Sequence, residues 1–174
     1  MQLSHIHVTP WDAAVLAFVV TAAASDLRWR RIPRWLTLTG LLCGVLYHAL
    51  IGGVLSSVVA AFLGFAAGLA LFQLGAIGGG DVKLITALGA MLGFSQWVFA
   101  MEVAIFASAL IALTQAAVRG VLWQTVAGVG ELARWLFSSG GKRHPSIHVA
   151  NTAALRAPFG VAAALGTMVA LWRW

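Results

Sequence analysis

The sequence predicts an all-α, polytopic membrane protein with about six transmembrane helices. Three observations predict this fold class: the mean hydropathy is +0.92, only 9% of the 174 residues are Asp, Glu, Lys or Arg, and none of these occurs from Trp35 to Gly80. A soluble domain carries about 25% charged residues, whereas a bilayer core requires about 20 apolar residues per helix. We therefore expect residues 1–174 to form a single membrane-embedded domain.

Six apolar segments account for the predicted spans, at about residues 8–27, 34–51, 55–75, 82–93, 95–118 and 157–172. Gly52 and Gly53 separate the second from the third, and the fourth is short and ends at Gly93. Between the last two lies a predicted cytoplasmic interfacial segment, 119–148, in which apolar residues recur at helical spacing over 122–136 and a polar loop follows at 138–146. This pattern predicts an amphipathic helix lying in the cytoplasmic membrane interface.

Most basic residues lie in the short connections between apolar segments, on one predicted side of the membrane. Arg28, Arg30, Arg31 and Arg34 follow the first segment, and Arg119 follows the fifth. By the positive-inside rule these loops are cytoplasmic, which places both termini outside. A net charge of +6 would indicate nucleic acid in a soluble protein, but here the expected partner is the anionic inner leaflet and no nucleic acid is expected.

Cysteine and histidine give no site of their own. Cys43 is the one cysteine, so no disulfide or cysteine-rich zinc site can form within the chain, and it is expected to be a small buried core residue. His48 is expected to be a packing residue. The five histidines form no metal-binding pattern, and the sequence predicts no metal and no cofactor.

The five acidic residues differ in predicted depth. Asp12 and Glu131 lie at interfaces, where a solvated structural role is expected. Asp26 and Asp81 lie at one depth on the inner side, and two carboxylates that meet there could share a proton and act as an acid and a base. Glu102 lies deep toward the outer side, where we expect an interhelical hydrogen bond or a side chain reaching the outer surface.

The glycines before Asp81 have alternative interpretations. Gly78, Gly79 and Gly80 could let a substrate backbone approach Asp81 or leave room for another helix, and the phosphate-binding G-x-x-x-x-G-K-[ST] pattern is absent. Lys83 could favour the ionised form of Asp81 if it is close, or extend to the lipid interface.

Three blocks resemble the type IV prepilin peptidases, a family of GxGD intramembrane aspartyl proteases. They are "SDLRWRRIPRWLT" (25–37), "IGGGDVKL" (77–84) and "APFGVAAALG" (157–166). The resemblance implies that Asp26 and Asp81 are the catalytic pair. It implies supporting or substrate-binding roles for a further set of residues: Gly78, Gly79, Gly80, Lys83, Pro158, Phe159 and Gly160.

The resemblance also implies a substrate, the leader peptide and N-terminal apolar helix of a prepilin or pseudopilin, cut at the cytoplasmic face of a prokaryotic inner membrane. Larger members carry a cysteine-bearing zinc insert associated with N-methylation. This chain resembles the short, peptidase-only form of Flp/Tad-type pilus systems, and methyltransferase activity is not expected. Two alternatives remain open: a small transporter or channel component with an acidic path, and a noncatalytic assembly subunit.

Overall fold

The computed structural model describes residues 9–29, 31–73, 77–121, 123, 127 and 159–173, and these residues form five helices without a strand. The helices are α1 (Pro10–Trp29), α2 (Arg34–Leu50), α3 (Val54–Gln73), α4 (Gly79–Val118) and α5 (Phe159–Arg173). Helices α1, α3 and α4 are long and apolar enough to cross a membrane. The predicted all-α fold class is confirmed. Because α2 and α5 have only 17 and 15 residues, the count of six spans stays a prediction.

The outward-facing surfaces of the helices are apolar. On α2, every fourth residue of one face is an exposed leucine, and their exposed fractions run from 56% to 78%: Leu38, Leu42, Leu46 and Leu50. Such a continuous apolar surface is unfavourable in water and is suited to contact with lipid tails. The structure is therefore that of a helical membrane protein.

Cys43 is exposed on α2, and its prediction as a buried core residue was wrong. The packing face of α2 is formed by small residues: a Cβ on Gly40 would lie 2.5 Å from the Phe18 ring, and one on Gly44 would lie 2.5 Å from the Ala90 backbone. Lipid is as apolar as a protein core, so a thiol has no hydrophobic reason to prefer the interior.

Helix α4 contains the fourth and fifth predicted segments, joined at Gly93. The backbone of Gly93 has φ 71° and ψ 173°, a conformation that is essentially restricted to glycine. The residues on its two sides form separate helical parts, 79–92 and 94–118. The sequence correctly predicted that the short fourth segment ends at Gly93.

The two parts of α4 run in opposite directions. The first part is antiparallel to α3, because Gly68 packs against Val82 near its start and Gly89 against Ala60 near its end. This part therefore begins at the end of the bundle where α3 finishes.

The second part of α4 is antiparallel to α5. Gly166 of α5 contacts the backbone of Ala104, and seven residues later the guanidinium of Arg173 lies 4.6 Å from the centre of the Phe99 ring. The second part thus returns from Gly93 toward the end where α5 begins.

Side chains from other helices satisfy the backbone groups at the break. Ser57 Oγ donates to Ala90 O at 2.8 Å, and Trp11 Nε1 donates to Met91 O at 3.1 Å. On the other side of Gly93, the N–H of Phe94 donates to Ser56 Oγ at 2.8 Å. Because an unpaired backbone group is costly in an apolar environment, these bonds stabilise the interruption of the helix.

His48 lies beside the same break. It is buried, its Nδ1 is 3.0 Å from Gly44 O, and its ring meets the edge of Tyr47 at 5.5 Å between centroids. Since a carbonyl only accepts, Nδ1 is the donor. The predicted packing role of His48 is confirmed.

Five helix ends lie together at what we call the Asp26 end: the end of α1, the start of α2, the end of α3 and the starts of α4 and α5. The predicted interfacial segment, 119–148, lies almost entirely outside the described residues.

Candidate active site

Asp26 is held by the first turn of α5. It lies near the end of α1 and is half-buried, and its Oδ2 accepts a hydrogen bond of 2.9 Å from the backbone N–H of Gly160. The first N–H groups of a helix have no partner within that helix, so a carboxylate is a natural acceptor for them. The contact joins two blocks that are 134 residues apart.

Gly160 has no space for a side chain. A Cβ on this residue would lie 2.9 Å from Asp26 Cβ and 3.0 Å from Asp26 Oδ2. The absence of a side chain is therefore what allows the N–H of α5 to reach the carboxylate.

Asp81 is held by the glycines that precede it. It is half-buried in the first turn of α4, and its Oδ2 accepts a hydrogen bond of 3.0 Å from the N–H of Gly78. Both candidate aspartates thus accept a glycine N–H at the beginning of a helix. These bonds fix the orientation of each carboxylate relative to the backbone.

The bond of Asp81 is also one half of a helix capping box, and a complete capping box occurs elsewhere in the chain. At the start of α1, the Asp12 carboxylate accepts from Thr9 N at 2.9 Å, while Asp12 N donates to Thr9 Oγ1 at 3.2 Å. Asp12 therefore has the structural role that the sequence predicted. Helix capping alone does not explain why Asp81 lies next to the sequence block that contains Asp26.

Gly79 and Gly80 connect the α4 start to two neighbouring segments. A Cβ on Gly79 would lie 3.7 Å from Phe72 Cε2, and one on Gly80 would lie 3.9 Å from Ile32 Cβ. Ile32 lies between α1 and α2, in the block that contains Asp26, so this block and the glycine-rich block are neighbours. Gly160, Gly80 and their contacts thus gather the three blocks at the Asp26 end.

Lys83 is exposed on α4. It is two residues from Asp81, and residues two apart on a helix do not face each other. This position favours the predicted extension of Lys83 to the lipid interface over a role beside the Asp81 carboxylate.

The Asp26 end carries several exposed cations. Arg28, Arg31 and Arg34 are exposed around the connection between α1 and α2, and the guanidinium of Arg28 lies 5.6 Å from the centre of the Trp29 indole. This surface is electrostatically suited to anionic headgroups.

Glu102 lies apart from this site. It is exposed on the second part of α4, on the side opposite the buried Trp97, Ala100 and Ala104. Its exposure favours the predicted side chain that reaches the outer surface. Among the described helices it makes no hydrogen bond to another helix and lines no path together with Asp26.

Two neighbours of the glycines were missed as functional candidates, Phe72 and Ile32. Their positions in the sequence could have indicated them, because Phe72 lies in the last turn of α3, just before the glycine block, and Ile32 lies in the same block as Asp26. Phe159 is half-buried and packs on the core beside Gly160. The remaining predicted site residue, Pro158, lies outside the described residues.

Comparison with curated proteins and comparison with solved structures give no match. The model of the type IV leader peptidase family matches residues 13–113, which is more than half of the chain. The matched region includes Asp26, the glycine block and Asp81, and it ends before Gly160. The predicted resemblance to this family is thereby confirmed, and the chain belongs to the type IV leader peptidase family.

Proposed function

We propose that the protein is a membrane aspartyl endopeptidase that removes the N-terminal leader from prepilin or pseudopilin subunits at the cytoplasmic face. Family membership supports leader peptidase activity in general. The observation that carries the more specific proposal is the shared arrangement of Asp26 and Asp81. Each carboxylate accepts a glycine N–H at a helix start, and both belong to blocks gathered at the Asp26 end.

The proposed chemistry is hydrolysis of one peptide bond by the two carboxylates. One of them, ionised, removes a proton from a water molecule, and the other, protonated, donates a hydrogen bond to the scissile carbonyl. The water oxygen forms a bond to the carbonyl carbon. The C–N bond then breaks, and the leaving nitrogen takes a proton from a carboxyl group.

The protein contributes the orientation of these groups. The Gly160 and Gly78 N–H groups direct the two Oδ2 atoms before substrate arrives. Fixing catalytic groups in this way reduces the entropy lost on reaching the transition state.

Charge supports the cytoplasmic location of the site. Exposed Arg28, Arg31 and Arg34 surround the connection next to Asp26, and such residues are enriched on the cytoplasmic side of membrane proteins. A leader that precedes an apolar helix presents its scissile bond at this interface. The location of the aspartates therefore fits a substrate that is itself anchored in the membrane.

The cleavage activity, and the membrane face at which it occurs, can be tested in vesicles whose protein orientation is known. The purified protein is reconstituted into liposomes, and a prepilin-like peptide with a leader and an apolar helix is added from outside. Protease mapping of the loop at Arg31 separates the two orientations of the protein. We expect a single cut between leader and apolar helix, only in vesicles that expose this loop, and equal cleavage by Glu102→Gln. The proposal is rejected if the peptide remains intact in both orientations, or if only the opposite face cleaves it.

A further inference from the structure

Gly79 and Gly80 form a strip of bare backbone beside Asp81, bounded by Phe72 on one side and Ile32 on the other. The nearest atoms to a Cβ on these glycines are Phe72 Cε2 at 3.7 Å and Ile32 Cβ at 3.9 Å. Both are ordinary van der Waals distances. Neither glycine has a positive φ, so the described residues impose no steric need for glycine at either position.

At some other glycines of the chain, close packing leaves no room for a Cβ. A Cβ would lie 2.5 Å from the Ala90 backbone at Gly44, and 2.7 Å from the Ala60 backbone at Gly89. Those glycines are required by helix packing. Within the described residues, packing does not require Gly79 and Gly80, and Gly79 is exposed, so a substrate could approach this bare backbone directly before Asp81.

The boundaries of the strip are apolar. Phe72 is 46% exposed although a Cβ on Gly79 would reach its ring, and Ile32 is half-buried immediately before Pro33. The cations of the same end, Arg31 and Arg34, flank Ile32 in sequence. Phe72 and Ile32 therefore make the borders of the glycine strip apolar, although the surrounding surface is charged. Such borders favour contact with an apolar side chain.

We propose that Phe72 and Ile32 are specificity-determining residues, which contact an apolar side chain of the substrate next to the scissile bond while its extended backbone crosses Gly79 and Gly80. This inference rests on the proposed function. In that function the residue after the scissile bond begins an apolar helix. Its side chain is therefore the one that suits contact with Phe72 and Ile32.

The test compares two phenylalanines of one helix. Phe72 and Phe65 are both 46% exposed and lie two turns apart on α3, but only Phe72 lies within 4 Å of a Cβ position on the glycine strip. For Phe72→Ala, Phe65→Ala and the wild type, kcat/KM is measured with two peptides that carry Leu or Ala after the scissile bond. An apolar contact of this kind typically discriminates by about ten-fold or more.

We expect Phe72→Ala to reduce the preference for Leu over Ala by about ten-fold, mainly through KM, and Phe65→Ala to retain the wild-type preference. Ile32→Ala should reduce the same preference. Gly79→Ala should raise KM for both peptides without lowering the thermal unfolding midpoint, because the added Cβ fits the folded chain.

The inference is overturned if the wild type cleaves both peptides and Phe72→Ala keeps its preference, or if Phe65→Ala loses it equally. A wild type that cleaves neither peptide contradicts the proposed function instead, so the two failures are distinguishable. Thermal unfolding of each variant identifies loss of folding, and Phe72→Leu, which keeps an apolar side chain, should retain part of the preference.

Discussion

The backbone N–H of Gly160 donates a hydrogen bond of 2.9 Å to Asp26 Oδ2. This contact connects the first turn of α5 with the last turns of α1 and gives the third sequence block a physical role. It orients the carboxylate from a helix start, where the partial positive charge of the helix dipole is located. The contact also requires glycine, because a Cβ would lie 2.9 Å from Asp26 Cβ.

Substitution of Gly160 should therefore impair catalysis by moving Asp26. We expect Gly160→Ala to lower kcat/KM for leader cleavage by about 100-fold, the effect typical of a displacement of about 1 Å at a reacting group. Leu165→Ala, at an exposed position of the same helix, is the control and should cleave normally. Peptide cleavage followed by mass spectrometry checks both, and normal activity of Gly160→Ala would contradict the role of this contact.

The sequence could predict the location of Asp26 and Asp81 along the chain but not the contact between Asp26 and Gly160. Hydropathy and charge placed both aspartates at the ends of apolar segments, and the structure places Asp26 near the end of α1 and Asp81 in the first turn of α4. The spatial order of the helices depends on close packing between small residues, such as Gly44 against Ala90. Hydropathy does not distinguish these residues from others in an apolar segment.

A second prediction concerns the reversal of α4 at Gly93. With φ 71° and ψ 173°, alanine at this position carries a backbone strain of about 1–3 kcal/mol. Its Cβ would also lie 3.1 Å from both His48 Nε2 and Ser56 Oγ. We expect Gly93→Ala to lower the thermal unfolding midpoint clearly, as measured by circular dichroism in detergent.

The matched control for this substitution is Gly120→Ala. Gly120 has a similar φ of 70°, but no atom of the described residues lies within 4 Å of its Cβ position. It should be destabilised less than Gly93→Ala, because only the backbone strain is added. Equal stability of Gly93→Ala and the wild type would contradict the described reversal.

The break at Gly93 was predictable, whereas its stabilisation was not. A glycine between two apolar segments is a recognisable signal. Ser56, Ser57 and Trp11 are not recognisable as partners of the break, because their bonds reach from α3 and α1 to α4. For the same reason the exposure of Cys43 could not be inferred, since an apolar residue of a membrane helix can face either lipid or protein.

A third prediction separates helix capping from catalysis. Asp12→Ala removes the carboxylate that accepts from Thr9 N and Thr9 Oγ1. The loss of such a capping interaction should lower the free energy of unfolding by about 1 kcal/mol. Cleavage of the leader peptide should be unchanged in the folded variant, because Asp12 lies at the opposite end of α1 from Asp26. Lost activity with unchanged stability would contradict this assignment.

The most direct test of the central claim is the cleavage rate of Asp81→Asn and Asp26→Asn. An asparagine side-chain oxygen can still accept the Gly78 or Gly160 N–H, so each variant should fold, but an amide cannot act as an acid or a base at this site. With a prepilin-like peptide, we expect both variants to lose about 1,000-fold or more in kcat/KM while their thermal unfolding midpoints stay close to that of the wild type. Wild-type cleavage by either folded variant would contradict the two-aspartate mechanism.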